Sequence, residues 1–85
     1  MKSFKQITEK NNSKLIETYK NNFCARLKEL REERKLSQKN VAKKLGCAIS
    51  TYANWEQGRT EPSIYDIYNL LLCYEIDANE LFNLN

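Results

Sequence analysis

The chain has 85 residues, of which 41% are hydrophobic and 29% charged, and its formal net charge is +3. A chain of this length supports one small domain, and no apolar run approaches the roughly 20 residues of a membrane span. Three cysteines without a Cys-x-x-Cys pair, and no histidine, argue against a zinc site and indicate a reducing compartment. We therefore expect a mostly helical, cytoplasmic protein with no metal, no other cofactor and no membrane partner. The cysteines are interpreted as small apolar residues, with a redox sensor at Cys47 as the alternative.

Basic residues are concentrated towards the start of the chain. Up to Asn22 there are five lysines against two glutamates, from Phe23 to Leu45 eight basic residues against three acidic, and beyond Leu45 one against six. This asymmetry favours binding of a polyanion at one end of the molecule, and a solvated mixed surface is the alternative. Catalysis is not expected, because there is no histidine, no carboxylate pair in an apolar setting and no glycine loop to cradle a phosphate.

The first 22 residues form a polar extension ahead of a domain over residues 23–85. We predict that the first dozen residues are frayed or disordered and that the next ten form a marginal amphipathic helix, which persists only by packing on the domain or on a protein partner. Asn21-Asn22 is expected to interrupt the helical structure between this extension and the domain. The first helix of the domain is predicted over residues 23–35, with an inward face formed by Phe23, Leu27 and Leu30.

Two short helices joined by a tight turn are predicted next. Ser37 can accept a hydrogen bond at the start of the second helix, and Gly46 ends it because glycine takes the left-handed conformation without steric cost. The apolar spacing predicts a shared core made of Val41, Ala42, Leu45, Tyr52 and Trp55. The outward face of the third helix is then formed by Ile49, Ser50, Ala53 and Asn54.

Two further helices complete the chain. Pro62 excludes helix from the preceding loop, and Ser63 with Asp66 is typical of a capping box that opens a fourth helix. Asp77 caps a short fifth helix, which carries Leu81 and Phe82. The predicted buried face of the fourth helix is formed by Ile64, Ile67, Leu70, Leu71 and Tyr74.

Between Phe23 and Leu84 this pattern resembles the helix-turn-helix of phage Cro and repressor proteins, also called the XRE family. The resemblance is carried by Arg26-Leu27-Lys28-Glu29-Leu30-Arg31, Leu36-Ser37-Gln38, Ala42, Leu45-Gly46, Trp55-Glu56-Gln57-Gly58-Arg59, Glu61-Pro62-Ser63 and Ile76-Asp77-Ala78-Asn79-Glu80-Leu81. It implies an all-α, compact, five-helix lambda-repressor-like domain with a marginally helical N-terminal extension. It also implies a transcriptional regulator, most simply a repressor, that places the helix near residues 49–57 in the major groove of duplex DNA.

The resemblance further implies which residues contact the DNA. Base edges would be read by Ile49, Ser50, Ala53 and Asn54, and phosphates contacted by Gln38, Lys39, Thr51, Arg59 and Thr60. Asn54 is suited to the N6 and N7 edge of adenine, and the reading helix has no Lys or Arg for a bidentate guanine contact, so we expect an A·T-leaning site. Arg31 and Glu56 are expected to form an ion pair. At Ala48 the chain departs from its relatives, which usually carry a capping Ser or Thr.

Relatives of this type usually act as dimers on half-sites one helical turn apart, so a homodimer is expected. Its surface would lie on the fifth helix and tail, with the Leu15–Phe23 stripe as a second dimer surface or as the site of a protein partner. The alternative function is a protein-interaction module, or an antitoxin-type partner protein, that uses the same fold. The cation-free reading helix favours this alternative, whereas Gln38, Arg59 and the basic first half of the chain favour DNA.

Overall fold

The computed structural model describes the backbone of residues 10–82 and, within it, the side chains of residues 14–82. The described part contains five α-helices and no strand, which confirms the all-α, five-helix prediction. In chain order they are α1 (Lys10–Glu33), α2 (Gln38–Leu45), α3 (Ile49–Gln57), α4 (Ile64–Tyr74) and α5 (Ala78–Phe82). None of the described helices is long and apolar enough to cross a membrane.

The first helix is longer than the sequence predicted. It runs for 24 residues without interruption, so the expected break at Asn21-Asn22 and the start at Phe23 are wrong. Asparagine disfavours a helix interior by well under about 1 kcal/mol, and neither glycine nor proline interrupts this stretch, so the apolar spacing that leads into Phe23 prevails. The disorder expected for the first dozen residues falls mostly on residues 1–9, outside the described part, while residues 10–12 belong to α1.

All five helices contribute to one core. Its buried apolar side chains are Leu27, Leu30, Val41, Ala42, Tyr52, Trp55, Leu70, Tyr74 and Leu81. Leu45 is half-buried against this core, and so is Phe23, whose ring stacks on Phe82 with centroids 5.4 Å apart. α1 packs against α3 and α5, while α2 packs against α3 and α4. The second and third helices are thereby held between the long first helix and the fourth.

Two arginines, Arg26 on α1 and Arg34 directly after its last residue, fasten the first helix to the C-terminal helices. The Arg34 guanidinium donates to the Tyr74 carbonyl at 2.8 Å and lies over the Tyr74 ring, 5.2 Å from its centroid. Arg26 Nε donates to the Glu80 carbonyl at 2.7 Å. Both acceptors lie near helix C-termini, where carbonyls lack helical partners and a cation is electrostatically favoured. These contacts fix the ends of α4 and α5 against α1.

The caps follow the sequence closely. Ser37 opens α2 and Ser63 opens α4, each with a complete capping box, closed by Asn40 and by Asp66 respectively. Asp77 accepts from the Glu80 amide at 2.9 Å at the start of α5. Satisfying these amides locally lets helices of 5 to 11 residues begin at defined positions.

One residue predicted for the core of α4 lies outside it. Ile64 is 70% exposed, whereas Leu70 and Tyr74 are buried and Ile67 and Leu71 half-buried. At 3.6 residues per turn, Ile64 lies about 100° around the helix from the mean direction of Leu70 and Tyr74. The prediction that Ile64 belongs to the buried face is therefore wrong, because α4 also carries apolar residues on its outer face.

The residue that ends α4 has a backbone conformation that is expected to lower the stability of the fold. Glu75 takes the left-handed conformation, with φ 55° and ψ 50°, and its amide donates to the carbonyls of Leu71 and Leu72. Because a Cβ disfavours this conformation and glycine does not, Glu75→Gly should raise the free energy of unfolding by about 1 kcal/mol in urea titrations. Glu75→Ala keeps a Cβ and should change it little; an equal gain in both variants would contradict this explanation.

Candidate nucleic-acid interface

α2 and α3 are joined by a three-residue turn that fixes one helix across the other. Gly46 takes the left-handed conformation at φ 74°, and its amide and that of Cys47 return to carbonyls in the last turn of α2. The chain reverses at once and α3 begins at Ile49. Val41 and Ala42 on α2 face Tyr52 and Trp55 on α3 inside the core. The two helices form the compact pair that the motif predicted.

The outer face of α3 is graded from exposed to half-buried. Ile49 is 47% exposed, Ser50 and Thr51 are exposed, and Ala53 and Asn54 are half-buried. The first turn therefore stands clear of the domain, and the second turn lies closer to it. All four residues predicted to read bases lie on this face, but only Ile49 and Ser50 are exposed, and Ala53 and Asn54 are half-buried.

The residues predicted to contact phosphates lie at both ends of this pair. Lys39 on the first turn of α2, and Arg59 and Thr60 after α3, are exposed. Gln38 is half-buried, and its Nε2 donates to Glu56 Oε1 at 3.2 Å. Gln38 therefore joins the first turn of α2 to the end of α3.

Glu56 is the centre of a hydrogen-bond cluster that joins three helices. Arg31 of α1 binds its carboxylate with two nitrogens, Nε at 2.7 Å from Oε2 and Nη2 at 3.1 Å from Oε1. The third guanidinium nitrogen, Nη1, donates to the Leu36 carbonyl at 3.0 Å, in the turn before α2. Only 13% of the Arg31 side chain and 4% of that of Glu56 are exposed. The bidentate geometry fixes orientation as well as distance.

These contacts set the charge state of Glu56. Burial alone would raise the pKa of the Glu56 carboxyl, but hydrogen bonds from Arg31, Tyr52 and Gln38 outweigh burial, so the pKa is lowered. The hydrogen bond to Glu56 likewise raises the pKa of Arg31. The carboxylate therefore stays ionised at neutral pH, and its negative charge is compensated inside the domain instead of facing the surface.

A buried pair of phenols continues this cluster into α4. The hydroxyls of Tyr52 and Tyr74 lie 2.7 Å apart, and both side chains are almost wholly buried. Burial raises the pKa of Tyr74 to about 12 and that of Tyr52 further. Both phenols therefore remain neutral and hydrogen-bonded, and they hold α3 against α4 without a buried charge.

α1 also lies against the turn that follows α3, which the sequence did not reveal. A Cβ on Gly58 would lie 3.4 Å from both Cys24 Sγ and Lys20 Cε. The Cys24 thiol donates to the Trp55 carbonyl at 3.2 Å. Lys20 thus adds a cation beside Arg59 and Thr60, in a part of the chain that was expected to be separated from the domain. The basic stretch before Asn22 was the available signal, but the expected break at Asn21-Asn22 hid it.

The cysteines lie among apolar neighbours. Cys24, Cys47 and Cys73 are free thiols and are all half-buried. Burial raises the pKa of each thiol, which lowers the thiolate fraction at neutral pH and with it the reactivity. Among residues 14–82, no group of three or more Cys, Asp or Glu side chains is arranged to hold a metal ion. These surroundings support the interpretation of the cysteines as small apolar residues.

The start of α3 lacks a side-chain cap and is expected to gain from one. Ala48 has the extended backbone of an N-cap residue, with φ −69° and ψ 150°, but its side chain accepts no hydrogen bond. Ala48→Ser should therefore raise the free energy of unfolding by about 1 kcal/mol in urea titrations. Ala78→Ser is the matched control, because Asp77 already caps α5 and a serine there adds no cap. Equal effects of the two substitutions would contradict the explanation.

The Arg31–Glu56 pair is expected to stabilise the fold in a pH-dependent way. Arg31→Met leaves a nearly buried carboxylate without its cation, so the free energy of unfolding should fall by about 3 kcal/mol at pH 7. Because the folded pKa of Glu56 is lowered, the wild type loses this contribution as pH falls below 4.5, the ordinary pKa of a glutamate carboxyl, towards the folded pKa. The difference between wild type and variant should therefore shrink as pH falls below about 4.5 in unfolding titrations.

A second arginine of α1 serves as the control for that measurement. Arg26 pairs with Glu29, whose side chain is 58% exposed, so water compensates the carboxylate when the cation is removed. Arg26→Met should thus lower the free energy of unfolding less than Arg31→Met, with a weaker dependence on pH. Equal losses at every pH would show that Glu56 has no special role.

Comparison with known proteins places this geometry in a family. Residues 25–85 match the model of a helix-turn-helix domain. The chain is 36% identical to the HTH-type transcriptional regulator DdrOP3 of Deinococcus deserti over 59 residues, which are 69% of this chain and 46% of that protein. It is 32% identical to the cryptic phage CTXphi transcriptional repressor RstR of Vibrio cholerae over 59 residues, 69% of this chain and 53% of that protein.

A third relative is the uncharacterized HTH-type transcriptional regulator YobD of Bacillus subtilis, 29% identical over 62 residues, 73% of this chain and 55% of that protein. The chain thus spans about half the length of the curated relatives it matches. No solved structure gives a significant match. The capped α2, the glycine turn, the crossed α3 and the match over residues 25–85 agree: this chain belongs to the helix-turn-helix domain family, of the phage Cro and repressor type.

Proposed function

We propose that this chain is a cytoplasmic regulator of transcription that binds duplex DNA in a sequence-specific way, as a homodimer, with α3 in the major groove. The observation that carries the proposal is the Glu56 cluster. It bonds α1, the start of α2 and the end of α3 through Arg31 and Gln38 at 2.7 to 3.2 Å. A rigid frame of this kind presents the outer face of α3 at a fixed angle, which base reading requires.

Affinity and base choice are divided between different residues. α3 has no Lys or Arg, so it adds no cation to the groove. Cations and polar groups instead flank it: Lys39 and Gln38 at the start of α2, and Arg59 with the neighbouring Lys20 after α3. We assign phosphate contacts to this flanking set, with Thr51 and Thr60 as further hydrogen-bond donors.

Base choice is assigned to the outer face of α3. Asn54 can pair with the N6 and N7 edge of adenine, Ser50 can donate or accept, and Ile49 and Ala53 can contact a thymine methyl. Ile49 and Ser50 stand clear of the domain, whereas Asn54 reaches the groove from a half-buried position. An A·T-leaning half-site of modest specificity follows from this chemistry.

Repression is the form of regulation that we propose. It requires only that a bound domain occupies DNA which the transcription machinery needs, so DNA affinity alone is sufficient. The similarity to a protein named as a phage repressor supports this choice. Activation would require a further surface that contacts the transcription machinery.

The alternative function is a protein-interaction module, or an antitoxin-type partner, built on the same fold. Leu15, Ile16 and Tyr19 on the first half of α1 are 52%, 54% and 65% exposed, which leaves an apolar strip for a protein partner. The cation-free α3 also favours it. Binding of DNA through phosphates separates the two functions, because a pure interaction module has no need of salt-dependent DNA affinity.

The DNA proposal predicts separable effects of two substitutions. After selection from a randomised duplex pool, fluorescence anisotropy on the enriched site at several salt concentrations should show that Arg59→Ala weakens all sites about equally. Its salt slope should fall by about 0.9, the share of one phosphate, whereas Arg59→Lys should keep the slope. Asn54→Ala should instead lose discrimination at one or two base pairs, worth about 1–3 kcal/mol.

Asn69→Ala is the control for the amide, because Asn69 is a half-buried asparagine on α4 rather than on α3. It should leave both affinity and base choice unchanged. A pool without an enriched sequence, together with binding that does not depend on salt, would rule out DNA as the ligand and favour the interaction module.

A further inference from the structure

We propose that the outer face of α4, formed by Ile64, Tyr65, Tyr68 and Leu72, is the surface on which a second copy of this chain docks. This inference deepens the homodimer of the proposed function by naming its interface. We call these four residues the α4 stripe. They are 70%, 73%, 61% and 76% exposed, and no other described helix exposes four large apolar side chains.

The spacing makes the α4 stripe one continuous surface. Ile64, Tyr68 and Leu72 recur every four residues and Tyr65 lies beside the first of them, so the four side chains are neighbours along the helix. The opposite face of α4 is buried in the core through Leu70 and Tyr74. The helix is therefore apolar on both sides, a pattern that belongs to helices covered all round. Within the part of one copy that the structure describes, the outer side stays exposed.

The charge pattern favours a second copy as the occupant. In a two-fold interface residue i contacts residue j and j contacts i, and a residue near the axis faces its own mate, so a charge near the axis faces its like. α4 contains no Lys or Arg, and its single acidic residue, Asp66, is held by the Ser63 hydroxyl and amide at 2.9 Å in the capping box. The stripe can thus face itself without like-charge repulsion, and the two phenol hydroxyls can serve as both donors and acceptors.

The area of the stripe is sufficient for association. Side chains of this size present roughly 200 Å² when fully exposed, so the α4 stripe offers about 550 Å² per copy and about 1,100 Å² in the pair. This total lies near the lower end of specific interfaces, and neighbouring polar residues at the rim add to it. A dimer of moderate affinity is expected, which DNA carrying two half-sites would stabilise further.

The two surfaces that the sequence suggested for dimerisation are less suited to it. On α5, Leu81 is fully buried and Phe82 stacks on Phe23, so these apolar residues pack within the domain. Leu84 lies outside the described residues. The exposed strip on α1 has three large apolar side chains, Leu15, Ile16 and Tyr19, and is therefore smaller than the α4 stripe.

Sedimentation velocity on the full chain, from low micromolar to several hundred micromolar, tests the proposal. The wild type should show a monomer–dimer equilibrium. Tyr68→Lys puts a charge at the centre of the stripe and should weaken association roughly hundredfold or more. Tyr19→Lys is the matched control, since Tyr19 is 65% exposed against 61% for Tyr68, and it should leave association unchanged. Circular dichroism checks that both variants are folded.

A cross-linking experiment gives an independent result if Tyr68→Lys does not fold. A two-fold axis through the centre of the stripe brings Tyr68 close to its own mate, so Tyr68→Cys should form an intermolecular disulfide under mild oxidation. Tyr19→Cys should cross-link no more than the wild type, whose native half-buried cysteines define the background. A wild type that stays monomeric at every concentration overturns the proposal, as does cross-linking at position 19 and not at 68.

Anisotropy on a single half-site separates this inference from the proposed function. If the stripe is the dimer surface, Tyr68→Lys should keep the wild-type affinity for one half-site and lose the additional affinity for two. A wild type that binds the half-site but does not dimerise would refute the interface and the homodimer, and would leave the proposed DNA binding intact. Dimerisation through the stripe without DNA binding would refute only the proposed function.

Discussion

The carboxylate of Glu56 is the point on which the arrangement of this domain depends. Its side chain is only 4% exposed, and a charge in that position is tolerable only when hydrogen-bonded partners surround it. Arg31 and Gln38 supply those bonds from α1 and from the start of α2. Neutralising one charge therefore fixes three helices together, and the angle between α2 and α3 follows from it. The Tyr52–Tyr74 pair extends the same constraint to α4 with neutral groups.

This frame bears on the proposal that α3, which has no cation, reads bases. α3 has nine residues, too few to persist alone in water, so its position must come from its neighbours. Its outer face carries apolar and polar side chains and no basic ones. The cations lie on the elements before and after it, where we propose that they contact phosphates. Gln38 would take part in both roles: its side-chain amide bonds Glu56 inside the domain, and it begins the helix that we propose faces the phosphates.

The fourth helix contributes to the core on one face and to the proposed dimer on the other. Its inner face completes the core of one chain, and its outer face presents four large apolar side chains that none of the described residues covers. A domain that binds one half-site gains affinity when a second copy is held at a fixed distance. An interface on α4, which the core holds rigidly on its other face, would couple the two reading helices without a flexible linker.

The sequence by itself determined the helices from Ser37 to Phe82, their caps at Ser37, Ser63 and Asp77, and the glycine turn at Gly46. These features rest on contacts within about four residues, which a local pattern encodes directly. Only the tertiary structure decided the unbroken α1, the bond from Gln38 to Glu56, the approach of Lys20 to Gly58 and the bare outer face of α4. The Gln38–Glu56 bond, the approach of Lys20 to Gly58 and the exposure of the outer face of α4 depend on how residues far apart in the chain are arranged. The length of α1 depends on what a marginal helix packs against. These contacts and exposures are set by the fold as a whole, because burial and charge compensation are properties of the assembled domain and not of any one segment.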